Sequence, residues 1–76
     1  MKSRAVNQRI EALGGYETRQ RGSHRRYAAK YTDPEGVERT AFTTVQQHTS
    51  QDIPLGTLRA IQRDMTAAFG EGWLLG

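Results

Sequence analysis

Residues 16–45, YETRQRGSHRRYAAKYTDPEGVERTAFTTV, decide the fold. Tyr16 to Gln20 reads as a short strand, Arg21-Gly22 as a tight turn and Ser23 to Tyr31 as a second strand. Side chains at i and i+2 share one face of a strand. Tyr27, Ala29 and Tyr31 therefore form an apolar face suited to a core, while His24, Arg26, Ala28 and Lys30 stand on the other. Asp33-Pro34-Glu35-Gly36 is a turn signal. Val37 to Val45, rich in Thr, Val and Phe, follows as a third strand hairpinned to the second.

Outward from this sheet, both flanks carry helical periodicity. On the N-terminal side Ser3 is placed to cap a helix in which Val6, Ile10 and Leu13 recur at i, i+4 and i+7, and Gly14-Gly15 ends it. On the C-terminal side a polar loop, Gln46 to Pro54, leads to a helix over about Leu55–Phe69. Its Leu58, Ile61, Met65 and Phe69 line one face, and Gly70 and Gly72 terminate it. The order is α-β-β-β-α, an α+β arrangement. Packing both helices on one face of a three-stranded antiparallel sheet is the simplest way to bury two amphipathic stripes. The other sheet face, with His24, Arg26 and Lys30, is then left open. Trp73-Leu74-Leu75 has two readings, a tail folded back onto the core or an exposed patch for a partner.

The chain has 76 residues, which predicts a single domain over 1–76. A domain of this size buries only about 60–65% of the surface its unfolded chain exposes, so a surface site is expected and no cofactor. The absence of cysteine excludes disulfides, thiolate metal sites and a cysteine nucleophile. Two histidines far apart make a poor zinc site, so no metal is expected. With no run of about 18 apolar residues and no apolar stretch of signal-peptide type in the opening residues, no membrane association is expected, and the location is expected to be cytoplasmic.

Net charge is +3, but it is unevenly spread. Residues 1–31 hold eight Lys/Arg against Glu11 and Glu17, whereas residues 32–76 hold three Arg against six acids. Arg19, Arg21, Arg25, Arg26 and Lys30 fall within twelve residues that contain no acid. Nine of the eleven cations are arginine, whose planar fork suits phosphate. Such clustering is the footprint of a polyanion binder, although a solvated basic face is the plainer alternative.

Gly14-Gly15-Tyr16 followed by Arg19-Gln20-Arg21-Gly22-Ser23-His24-Arg25-Arg26-Tyr27 resembles the HicA toxin family, with its Gly-Ser-His motif entering the second strand. Val45-Gln46-Gln47-His48 and Ile53-Pro54-Leu55-Gly56-Thr57-Leu58-Arg59-Ala60-Ile61 extend the resemblance, which spans residues 1 to about 63. It implies a fold like that of double-stranded-RNA-binding domains. It also implies a toxin of a type II toxin–antitoxin system that cleaves mRNA and is neutralised by a HicB-type antitoxin. By the same resemblance His24 is the catalytic position, framed by Gly22 and Ser23.

The chemistry suits these residues. RNA carries its own nucleophile, the 2′-hydroxyl, and histidine is the side chain that titrates near neutrality. Cations nearby stabilise the charge that builds on phosphate. Arg26 and Lys30 share the predicted face with His24; Arg19, Arg21, Ser23 and Arg25 are near in sequence. Taken without the resemblance, His24 also reads as an ordinary exposed strand histidine. His48 has three readings: a second acid/base group, a phosphate ligand, or a loop residue bonded to backbone. The departure from the family lies in the long C-terminal finish, residues 65–76, which bears on the antitoxin contact. A non-catalytic nucleic-acid-binding module of the same fold is the alternative function.

Overall fold

The computed structural model describes residues 1–48 and 50–76. Helix α1 (Ser3–Ala12), strands β1 (Tyr16–Arg21), β2 (His24–Thr32) and β3 (Glu38–Gln46), and helix α2 (Leu55–Phe69) follow one another in that order. The strands form one antiparallel sheet with β2 in the centre. This is the α+β fold of double-stranded-RNA-binding domains, as the alternation and the two amphipathic flanks predict.

Tyr27 and Ala29 of β2 and Ala41 and Val45 of β3 present one face to both helices. Val6 and Ile10 of α1 and Leu58, Ile61 and Met65 of α2 close over them in a single cluster. Tyr31 is only partly buried at its margin. Thr43 is the polar member of this sheet face, and its hydroxyl donates to Asp64 Oδ2 on α2 at 3.0 Å, which meets the requirement that a buried polar group be paired.

Two details of α1 differ from expectation. Ser3 is not the cap: Lys2 occupies that position, and Ser3, the first helical residue, turns its hydroxyl to the His48 carbonyl at 3.5 Å. Leu13 leaves the apolar stripe because the helix ends at Ala12; as the C-cap residue it is 36% exposed. The chain then doubles back so tightly that a Cβ on Gly15 would overlap the Ile10 side chain and sit 3.2 Å from the Phe69 ring. Only glycine permits this approach of backbone to core.

Arg21 pairs with His24 across a two-residue loop, Gly22-Ser23. Gly22 has φ +54° and, among the described residues, no non-glycine residue has positive φ, the pattern of a type II′ hairpin, whose first central residue is glycine. The β2–β3 turn is held by Asp33, which accepts from the backbone N–H of Glu35 and Val37 through Oδ1 and from Arg39 Nε through Oδ2, all at 2.9 Å. These bonds, the Arg39 one foremost, hold the Asp33 carboxyl below the usual range.

The C-terminal tail folds back. Trp73 and Leu74 are buried, and the Trp73 ring meets Phe69 edge-on at 5.0 Å between centroids. Trp73 Nε1 donates to the Gln62 carbonyl at 2.7 Å, and Arg9 Nε donates to the Trp73 carbonyl at 2.9 Å. The tail thereby ties α2 to α1.

Candidate nucleic-acid interface

Strand pairing defines the open sheet face. On β2 it carries His24, Arg26, Ala28 and Lys30, and their β3 partners are Gln46, Thr44, Phe42 and Thr40 in turn. The β1 contribution depends on an irregularity. Tyr16 pairs with Ala28 and Glu17 with Tyr27, but Arg19 pairs with Arg26 and Arg21 with His24. Thr18 is the extra residue, and its hydroxyl donates to the Arg26 carbonyl at 3.3 Å.

A β-bulge of this kind re-aims the side chains that follow it. With unbroken register Arg19 would lie opposite Arg25 and share its face, since a one-residue slip sends a side chain to the other side of the sheet. The bulge instead brings Arg19 beside Arg26 and Arg21 beside His24.

Arg19, Arg21, His24, Arg26 and Thr44 line one shallow depression of about 100 Å³. His24 is exposed at the first position of β2, next to the hairpin. The Arg26 guanidinium carbon lies over the Phe42 ring, 4.7 Å from its centroid, a cation–π contact. Among the described residues, the ion pairs to side-chain acids engage the Met1 ammonium and the side chains of Lys2, Arg25 and Arg39. Arg19, Arg21, Arg26 and Lys30 have no such partner, so their charge is directed at whatever approaches from solvent.

The other candidates lie apart. Lys30 is on the same face, six positions along β2 from His24, roughly 20 Å at ~3.3 Å per residue. Ser23 is in the hairpin loop, where its carbonyl accepts from the Gln47 backbone N–H. Arg25 is on the helix-facing side. Its Nε pairs with Glu17 Oε1 at 2.8 Å, and its Nη1 donates to the Tyr27 hydroxyl at 3.3 Å. That hydroxyl donates in turn to Glu11 Oε2 at 2.7 Å. The bond to Tyr27, with charge from Glu17 and Glu11 behind it, strengthens the hold of Arg25 on its proton; burial pushes the Tyr27 hydroxyl up, against the pull of Arg25. Arg25 thus links β1, β2 and α1, and lines a separate cavity of about 450 Å³ with Lys2, Arg4 and Asn7. His48 is exposed after β3 and lines a third cavity with Gln46, Asp52 and Thr57. Among the described residues no group of three or more His, Cys, Asp or Glu comes together to hold a metal ion.

Two residues, one lining the depression and one beside it, were not singled out by sequence reasoning. Thr44 and the ring beneath Arg26, Phe42, come from β3 through pairing register alone. The bulge at Thr18 has no marker in the sequence, since no glycine stands within β1.

The family model for the HicA toxin of bacterial toxin–antitoxin systems matches residues 3–66. The chain belongs to the HicA toxin family. Comparison with curated proteins and with solved structures returns no match. The HicA match covers all three strands, the basic depression and most of α2, and it ends before Trp73. Membership supports a toxin role and, with it, partnership with an antitoxin. The docked Trp73 tail of this HicA chain is an addition to the matched region that serves its core.

Proposed function

We propose that this HicA-family protein is a metal-independent endoribonuclease that cleaves mRNA in the cytoplasm and is silenced by a HicB-type antitoxin. The observation that carries the reading is the placement of His24 with three arginines free of acidic partners around one solvent-facing depression. His24 takes the proton of an RNA 2′-hydroxyl, and the freed oxygen attacks the adjacent phosphorus. The bond to the 5′-oxygen breaks, and that oxygen takes a proton from solvent. The products are a 2′,3′-cyclic phosphate and a 5′-hydroxyl. Arg19, Arg21 and Arg26 face the phosphate as negative charge builds on it, where preorganised donors contribute most. An antitoxin that covers this face would mask His24, for a shallow surface site offers no remote pocket through which to regulate it.

The phosphate contacts make a prediction about salt. Binding of single-stranded RNA should weaken steeply as salt rises, by a slope of about 0.7 in log K per neutralised phosphate. Replacing Arg19 and Arg26 with Gln should flatten that slope by more than one such contact, read by anisotropy titrations over a range of salt. An unchanged slope would mean that RNA lies on another surface. In cells, the protein expressed alone should arrest growth and co-expression of its antitoxin should restore it. Binding without arrest or cleavage would favour a non-catalytic module of the same fold.

A further inference from the structure

The open face carries two large rings outside the core, and neither takes part directly in the proposed cleavage step. Tyr16, Ala28 and Phe42 are consecutive cross-strand partners and form a row across all three strands. Tyr16 is 42% exposed and Phe42 46%, while Ala28 between them is 1% exposed. The small central residue lies at the floor, and the two rings flank it on the solvent side of the sheet.

This row sits in an ordered series. Next to the hairpin comes Arg21–His24–Gln46, then Arg19–Arg26–Thr44, then the aromatic row, then Lys30–Thr40. Successive rows are two residues apart along the strand, roughly 6.7 Å. Cations without acidic partners therefore lie on both sides of the rings, and Arg26 is stacked on Phe42 itself.

We infer that Tyr16 and Phe42 form a stacking platform for unpaired bases of a single-stranded RNA whose phosphates lie along Arg19, Arg21, Arg26 and Lys30. The inference rests on the RNA reading above and names the form of RNA it takes. The charge pattern calls for an anion with repeated negative charges. The rings call for a flat, apolar partner presented beside those charges. A single strand offers both in alternation, and base–aromatic stacking tolerates any sequence because every base has a π-face. A duplex hides its base faces within the stack, so on this surface it can meet only the cations. The open sheet thus selects single strands, although the fold resembles that of domains that read duplex shape. An apolar protein surface could cover the rings but would leave the flanking cations without partners.

The test uses a 2′-O-methylated single-stranded oligonucleotide, which lacks the attacking hydroxyl and stays intact. Its affinity is measured for the wild type and for Tyr16→Leu, Phe42→Leu and the double variant. The same is done with an abasic oligonucleotide of equal length and with the duplex, and all variants are checked by thermal melting. Stacking is worth ~1–3 kcal/mol per base, and 1.4 kcal/mol is tenfold. Each single substitution should therefore weaken binding of the base-bearing strand about tenfold and the double more. For Tyr16→Leu, whose ring is not the one beneath Arg26, the salt slope, the melting curve and the affinity for the abasic strand should not change.

Variants that bind the base-bearing strand as the wild type does would overturn the platform while leaving the RNA reading in place. An equal loss by Tyr16→Leu on the abasic strand, or a wild-type preference for duplex, would do the same. Unchanged RNA binding with lost antitoxin binding would assign the rings to the protein partner and overturn the inference. A wild type that binds no RNA in any form would overturn both readings together.

Discussion

His24→Ala should abolish RNA cleavage and growth arrest while leaving a folded protein that still binds RNA. Removing a general base costs about 10²–10⁴ in rate. Removing an exposed side chain usually changes stability by less than about 0.5 kcal/mol. His24 is exposed, at the start of β2, on the face opposite Tyr27 and Ala29. The two effects therefore separate in size. Paired melting and cleavage curves on the purified variant read both, and a salt titration shows that the arginine contacts persist. A variant that still cuts would remove His24 from the mechanism. A variant that unfolds would make His24 a structural residue, contrary to its exposure.

Trp73→Ala should produce a large loss of stability, although Trp73 lies beyond the region that matches the HicA family. Truncating a buried tryptophan costs about 3–5 kcal/mol. Here the substitution also removes the edge-on contact with Phe69 and the Nε1 bond to the Gln62 carbonyl. A chain of this length has only about 4–11 kcal/mol to lose, at ~0.05–0.15 kcal/mol per residue. With ~4–8 °C of Tm per kcal/mol for a small domain, the midpoint should fall by roughly 12 °C or more. Leu75→Ala, at a neighbouring position that is 38% exposed, is the control and should shift it little. A Trp73→Ala midpoint within a few degrees of wild type would show that the tail is not part of the core.

Much of the fold can be read from periodicity because the burial requirement writes it into the sequence. Alternation over residues 23–31 separates Tyr27 and Ala29 from His24, Arg26 and Lys30, and pairing in the structure keeps that separation. The stripes of α1 and α2 likewise foretell that Val6, Ile10, Leu58, Ile61 and Met65 are core. Where the reading goes astray, a local rule yields to a neighbour. Leu13 fits the helical period, but the glycines end the helix one residue before it. Ser3 is a good capping residue, yet its hydroxyl is taken by the loop that returns past the helix start.

The candidate site is less legible, since register is a property of two strands together. Proximity in sequence groups Arg25 with Arg26, but strand geometry sends Arg25 to Glu17 and Tyr27 on the far side of the sheet. Arg19 and Arg21 reach the His24 face only because Thr18 is bulged. Phe42 and Tyr16 read as ordinary strand residues until pairing sets them in one row.

The most direct measurement of the central claim is the chemistry of the cut end. Purified wild-type protein is incubated with single-stranded RNA in EDTA, and the termini of the fragments are analysed. Fragments ending in a 2′,3′-cyclic phosphate, with 5′-hydroxyl partners, are the predicted result, because in the proposed mechanism the attacking oxygen belongs to the RNA and the base is an imidazole. RNA that stays intact in EDTA but is cut on addition of a divalent metal, or 5′-phosphate ends from the wild-type protein, would contradict it.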